Sequence, residues 1–179
     1  MAKRDPHLVA TRIIEDAGGE LVGRTRLQKI GYLLQLAGFG DEFHFDYKHY
    51  GPFSEDLARG MEIAAAFGAV QEEELPTGWG GWYSVYRLTT ARPPSDAPRA
   101  QFVQAAKTIG AVELELAATA AFLYVVEGIG RTKAGNPWTE TLARKPEKAG
   151  GGRLAKAAAQ YARLRQITTP TQLPALPNP

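Results

Sequence analysis

Cysteine is absent from the 179-residue sequence. That excludes a disulfide framework, a thiolate metal site and a thiol nucleophile, and it suits a reducing compartment. Histidine occurs three times, at His7, His44 and His49. No two of them stand four residues apart on a helical pattern, so no metal and no cofactor is expected. Serine is nearly as scarce: Ser54, Ser84 and Ser95 fall at a helix cap, on a strand and in a linker, and none sits in a G-x-S-x-G turn. Long apolar runs are missing too. Leu114 to Val126 is too short to span a bilayer and is flanked by Glu113 and Glu127. The first residues carry no apolar signal core. These absences predict a soluble, cytoplasmic protein that is not an enzyme.

The net charge of +2 is unevenly distributed. Residues 1–70 hold 8 Lys/Arg against 10 Asp/Glu, residues 71–110 hold four of each, and residues 111–179 hold 9 against 5. A groove-reading element normally carries the basic excess. Here that excess lies in the C-terminal third.

Apolar spacing predicts a helix over 7–17, ended by Gly18-Gly19. Thr25-Arg26-Leu27-Gln28 fits a capping box. The helix it opens places Leu27, Ile30, Gly31 and Leu34 on one stripe, expected to bury against Ile13, Leu57 and Met61. Phe43 to Tyr47 alternates and reads as a short strand or extended segment, followed by a turn at Gly51-Pro52. Ser54 caps a third helix, with Glu55 and Asp56 in its first turn. Val70–Leu75 and Trp82–Thr89 then read as two strands, joined by a glycine-rich loop that carries Trp79. Three helices and a hairpin are the chain order of a winged helix. Further helices are expected at 97–109, 112–126, 137–144 and 153–167, with Asn136-Pro137 opening the third of these.

The expected fold is mainly α (α+β): a winged-helix domain over 1–90 with a β-hairpin wing, a linker at 91–99, a C-terminal helical bundle over 100–167, and a proline-rich flexible tail at 168–179. Glu72, Glu73 and Glu74 read as a solvated edge that discourages strand pairing. Gly128 to Lys133 lacks phosphate-loop spacing and follows a helix.

Two segments stand out. Gly23-Arg24-Thr25-Arg26-Leu27-Gln28-Lys29-Ile30-Gly31-Tyr32 sets three cations at a helix start. Tyr47-Lys48-His49-Tyr50-Gly51-Pro52-Phe53 interleaves aromatics with cations. Together they resemble the YwgA family of small prokaryotic proteins. More distantly they are similar to SocA-like (Panacea) antitoxin domains, which share an L-Q-K-x-x-Y helix followed by an aromatic-G-P turn. Leu114 to Thr119, Lys145-Pro146 and a closing amphipathic helix extend the likeness over residues 8–167. The resemblance implies a winged-helix-like fold and, from the antitoxin side, neutralisation of a toxin by direct contact.

Two functions follow as expectations. The first is a non-catalytic protein-binding module, antitoxin- or adaptor-like in a prokaryotic stress or defence system, with Trp79, Tyr47, His49 and Tyr50 as partner contacts. The alternative is a DNA-binding regulator. Its third helix is acidic, so Arg24, Arg26, Lys29, Lys48 and Arg87 would have to meet the phosphates.

Overall fold

Pro6 occupies the first turn of α1 (Pro6–Asp16), where its missing N–H costs nothing, and Ala10, Ile13 and Ile14 turn inward. The computed structural model describes residues 5–94 and 96–179. Roughly half the chain is helical, with a small antiparallel sheet. Strand β1 (Glu20–Val22) is too short to show alternation and was not expected. It is fixed by pairing with the later hairpin rather than by its own residues.

Helix α2 (Arg24–Leu36) starts two residues earlier than a capping box at Thr25 requires. Gly23 takes the N-cap position at a φ of 99°, and no side chain caps it. Thr25 lies inside the first turn. Gln28, which would have reached back, instead turns to Ser54: its amide donates to the Ser54 carbonyl at 3.0 Å and its oxygen accepts from the Ser54 N–H at 2.8 Å. The competing long-range pair replaces the local box. The apolar stripe is buried as spaced, with Leu27, Ile30 and Leu34 all at or below 4% exposure. At Gly31 a Cβ would stand 2.6 Å from Leu57 Cδ2, so the two helices meet where a side chain is missing.

Phe43 and Phe45 point inward and His44 outward, as alternation predicts, yet 41–45 form no ladder. The Gln35 side chain satisfies both backbone groups of Phe43 instead. Pairing begins only at β2 (Asp46–Lys48), opposite β3 (Gly51–Phe53). The turn is therefore His49-Tyr50, while Gly51-Pro52 lies in a strand. Ser54 does cap α3 (Glu55–Ala66), accepting from the Leu57 N–H at 3.2 Å. The hairpin of β4 (Val70–Pro76) and β5 (Trp82–Leu88) completes a sheet of order β1-β5-β4.

Helices α4 (Ala97–Lys107), α5 (Ala111–Val125), α6 (Pro137–Arg144), α7 (Pro146–Ala149) and α8 (Arg153–Leu164) follow. Ten consecutive residues of α5, Leu114 to Leu123, are buried, as befits a helix apolar all round. It contacts α2, β3, α6, α7 and α8, and one hydrophobic core runs from Ala10 to Leu173. Among the described residues no single helix is long and apolar enough to cross a membrane.

The segment expected as a flexible tail packs instead as a strap. Leu173 is buried, and the chain's carbonyls accept from side chains it crosses: Pro174 from the Tyr161 hydroxyl at 2.9 Å, and Pro177 from the Trp138 indole at 2.9 Å. The Thr171 N–H donates to Ala37 at 3.0 Å. A proline-rich stretch has few donors to satisfy, so a few acceptor contacts suffice to hold it.

Candidate partner-binding groove

The wing loop is closed by Thr77, whose hydroxyl accepts from the Gly81 N–H at 2.8 Å while its own N–H donates to the Gly81 carbonyl at 2.8 Å. Gly80, at a φ of 90°, lets the loop turn. This short closure leaves Trp79 no surface of its own strands to fold onto, and it stands 87% exposed. Trp82, at the start of the returning strand, is 69% exposed.

Between the hairpin and the first turn of α2 lies a groove of about 640 Å³. Pro76, Trp79 and Trp82 line one side, and Arg24, Arg26 and Ala111 the other. Arg24 is not free within it. Its Nε donates to Glu72 at 2.9 Å and a terminal nitrogen to Glu74 at 2.9 Å. The hydrogen bond to Glu72 raises the guanidinium's pKa further. Burial opposes the charge on Glu72, but hydrogen bonds from Ser84, at 2.6 Å, and from Arg24 outweigh it and hold the carboxyl below its usual range. The glutamate run is thus a set of arginine anchors on the edge strand. Glu73 completes it by accepting from Arg87 at 2.6 Å.

The other residues singled out from the sequence do not join this groove. Tyr47 is half-buried against Phe122, with the Arg144 guanidinium 5.0 Å from its ring centre. His49 meets Tyr50 edge-on at 4.7 Å, and Lys148 Nζ stands 4.4 Å from the Tyr50 ring centre. Neither Tyr47, His49 nor Tyr50 lines the groove. Of these three, His49 and Tyr50 present open surface.

The five cations named for nucleic acid are held by the protein itself. Beyond Arg24, Arg26 donates to the carbonyls of Val22 and Ile109 at 2.9 and 3.0 Å, and burial lowers its pKa. Lys48 pairs with Glu55, and Arg87 with Glu20 as well as Glu73. Lys29 is 1% exposed and donates to the Pro52 carbonyl at 2.7 Å, so it offers no surface charge. Burial pushes its pKa down to about 7. The nearby Glu115 carboxylate works against that shift, while Lys145 and Lys148 add to it. The sequence signal that marked Lys29 as exposed was its neighbours' charge. What buries it is the enclosure of α2, which is covered on every side from Leu27 to Leu34.

Two buried ion pairs escaped sequence reasoning because their partners are far apart in the chain. Asp16 on α1 meets Arg99 on α4. Burial raises the Asp16 pKa to about 6, against the pull of Arg99 and Arg12. Glu115 on α5 accepts from Lys145 at 2.7 Å and from Lys148 at 2.8 Å, and Lys145 also donates to the His49 carbonyl at 2.6 Å. Among the described residues no group of three or more metal-ligating side chains converges. Ser84 is buried against Glu72, and Ser95 lies outside the described residues.

Comparison with known proteins places these motifs. No family model matches the chain. A stretch of 83 residues, 46% of the chain, is 31% identical to "Uncharacterized protein YwgA" of Bacillus subtilis (strain 168). That stretch spans about half of the relative, 48% of its length. The likeness is distant and partial. The two segments singled out from the sequence meet in space, with Lys29 on Pro52, and residues just outside the second add Gln28 on Ser54 and Tyr32 on Phe45, with ring centres 5.3 Å apart. Gly51 has a φ of 82°, and a Cβ there would collide with Thr119 of α5. These residues fasten the β2–β3 hairpin to α2 and α5. They are fold-making residues before anything else.

Proposed function

We propose that the chain is a non-catalytic winged-helix protein that acts by binding another protein through the groove beside its wing. The order α1–β1–α2–β2–β3–α3–β4–β5, three helices and a closing hairpin with β1 at the edge of its three-stranded sheet, supports reading residues 1–90 as a winged-helix unit with a small β2–β3 hairpin inserted before α3. One observation carries the binding reading: Trp79 and Trp82 both stand largely exposed on one side of the same groove. Exposed tryptophans beside a concavity are the residues whose burial anchors protein interfaces. The likeness to SocA-like antitoxin domains suggests the partner class, a toxin or another component of a prokaryotic stress or defence system. A cytoplasmic site of action follows from that role.

DNA recognition through α3 draws less support. Its exposed face carries Glu55, Asp56 and Glu62 beside Arg59, which repels phosphate, and the five nearby cations are already engaged.

The test is affinity capture from host lysate, with and without nuclease, using wild type and Trp79→Ala/Trp82→Ala. A protein partner retained after nuclease should be lost with the double variant. Once purified, that partner should bind the variant at least about thirtyfold more weakly, the equivalent of about 2 kcal/mol. Equal capture by both proteins, or capture that vanishes with nuclease, overturns the reading.

A further inference from the structure

Arg24, Arg26, Lys29, Lys48 and Arg87 are each engaged within the fold, but the cations of α8 are not. From Lys148 to Pro179 the sequence has five basic residues and no acidic one. On α8, Arg153, Lys156 and Arg163 are exposed, and none of them is in an ion pair among the described residues. With half-buried Gln160 they stand at the i, i+3, i+7, i+10 spacing, one stripe of the helix. The neighbouring stripe, Ala157, Tyr161 and Leu164, docks α8 on the core, so the cations flank that contact. The stripe is therefore held at a set angle rather than on a mobile tail.

Beside the stripe lies a second concavity. A trough of about 330 Å³ runs between α4 and α8, and Gln101, Thr108, Gln160 and Arg163 give it polar walls. No carboxylate and no aromatic ring lines it. Ala105, Ile109, Leu164 and Ile167 make up the rest of its lining, and no aromatic ring is there to anchor a protein partner. Amide, hydroxyl and guanidinium donors in line with further cations suit a repeating anion. From Arg153 to Arg163 the helix rises roughly 15 Å, a reach of about three successive phosphates along one strand.

We infer that the α8 stripe and the α4–α8 trough bind the phosphodiester backbone of nucleic acid without sequence preference. The surface is separate from the wing groove, and its failure leaves the protein-binding reading untouched. Three phosphate contacts give weak, salt-sensitive binding: affinity should fall about sixfold for each doubling of salt.

Fluorescence anisotropy of the full chain with a 20-base-pair DNA duplex of mixed sequence, and separately with a 20-nucleotide RNA strand, tests this between 25 and 100 mM NaCl. Wild type should bind at least one of them, and the two arms tell which carrier of the backbone is preferred. Arg153→Gln/Lys156→Gln/Arg163→Gln should weaken binding at 25 mM at least tenfold and flatten the salt dependence. Arg24→Gln/Lys48→Gln/Arg87→Gln should change it less than twofold. Lys156→Glu alone, on the outer face, should weaken binding severalfold at unchanged melting temperature, and it decides the matter should the triple variant fold poorly. Undetectable binding of both probes at 25 mM, or loss with the N-terminal triple instead, overturns the inference. Tighter binding of polyglutamate than of either nucleic acid also overturns it, and makes an acidic protein segment the occupant.

Discussion

Replacing Gln28 by alanine tests whether the L-Q-K motif makes the fold or makes a binding surface. The Gln28 side chain is 3% exposed and joins α2 to the start of α3 through both backbone groups of Ser54. The Ser54 carbonyl keeps a second partner, the Ala58 N–H at 3.1 Å, but the Ser54 N–H has no other acceptor among its described contacts. Truncation therefore orphans one buried donor, at about 1–3 kcal/mol. It also removes one buried methylene, worth about 0.8 kcal/mol, together with the carboxamide. The expected loss is about 2–4 kcal/mol, or roughly 5–15 °C in Tm for a chain of this size. Gln28→Met keeps the volume and loses only the hydrogen bonds, so it should fall about halfway between wild type and Gln28→Ala. Urea unfolding followed by circular dichroism, with a thermal scan, measures both. A loss under about 0.5 kcal/mol for Gln28→Ala would refute the stitching argument. Partner capture lost at unchanged stability would reassign the motif to binding.

The burial of Lys29 makes stability depend on pH. Its pKa is about 7 in the folded protein and 10.5 when free, so between those values the unfolded chain binds the extra proton. Unfolding free energy should therefore rise from pH 7 to pH 9, by at most about 1.4 kcal/mol per unit, and Lys29→Met should remove that rise; an identical slope in the variant refutes it. Deleting residues 170–179 strips Leu173 from the core and the Pro174 and Pro177 acceptors from Tyr161 and Trp138. The cost should be about 3–6 kcal/mol by denaturant titration, and an unchanged midpoint means the strap contributes nothing. Trp79→Ala should shift Tm by less than about 1 °C, because the ring is solvated already; a larger drop in a thermal scan places the ring in the core.

Much of the local structure was legible from short-range chemistry. Ser54 before Glu55-Asp56 and Asn136 before Pro137 marked helix starts that the structure keeps, because a cap is a contact between residues two or three apart. The hairpin around Trp79 and the exposure of that ring followed from flanking glycines. The Leu27, Ile30 and Leu34 stripe followed from helical period alone. All of these depend on what a residue's near neighbours allow.

Only the tertiary structure decided the rest. The capping box at Thr25 lost to Gln28 meeting Ser54 across 26 residues, and nothing in either local sequence announces that pair. Whether a cation is free, paired or buried depends on where distant carboxylates and carbonyls arrive. Arg24 found Glu72, Lys29 found Pro52 and Lys145 found Glu115, while Arg153, Lys156 and Arg163 found none. Sequence supplies the charges and the period that orients them; the crossing of elements decides which charges still face solvent. For this protein that division is also the functional one, since a side chain satisfied by its own fold has little left to offer a partner.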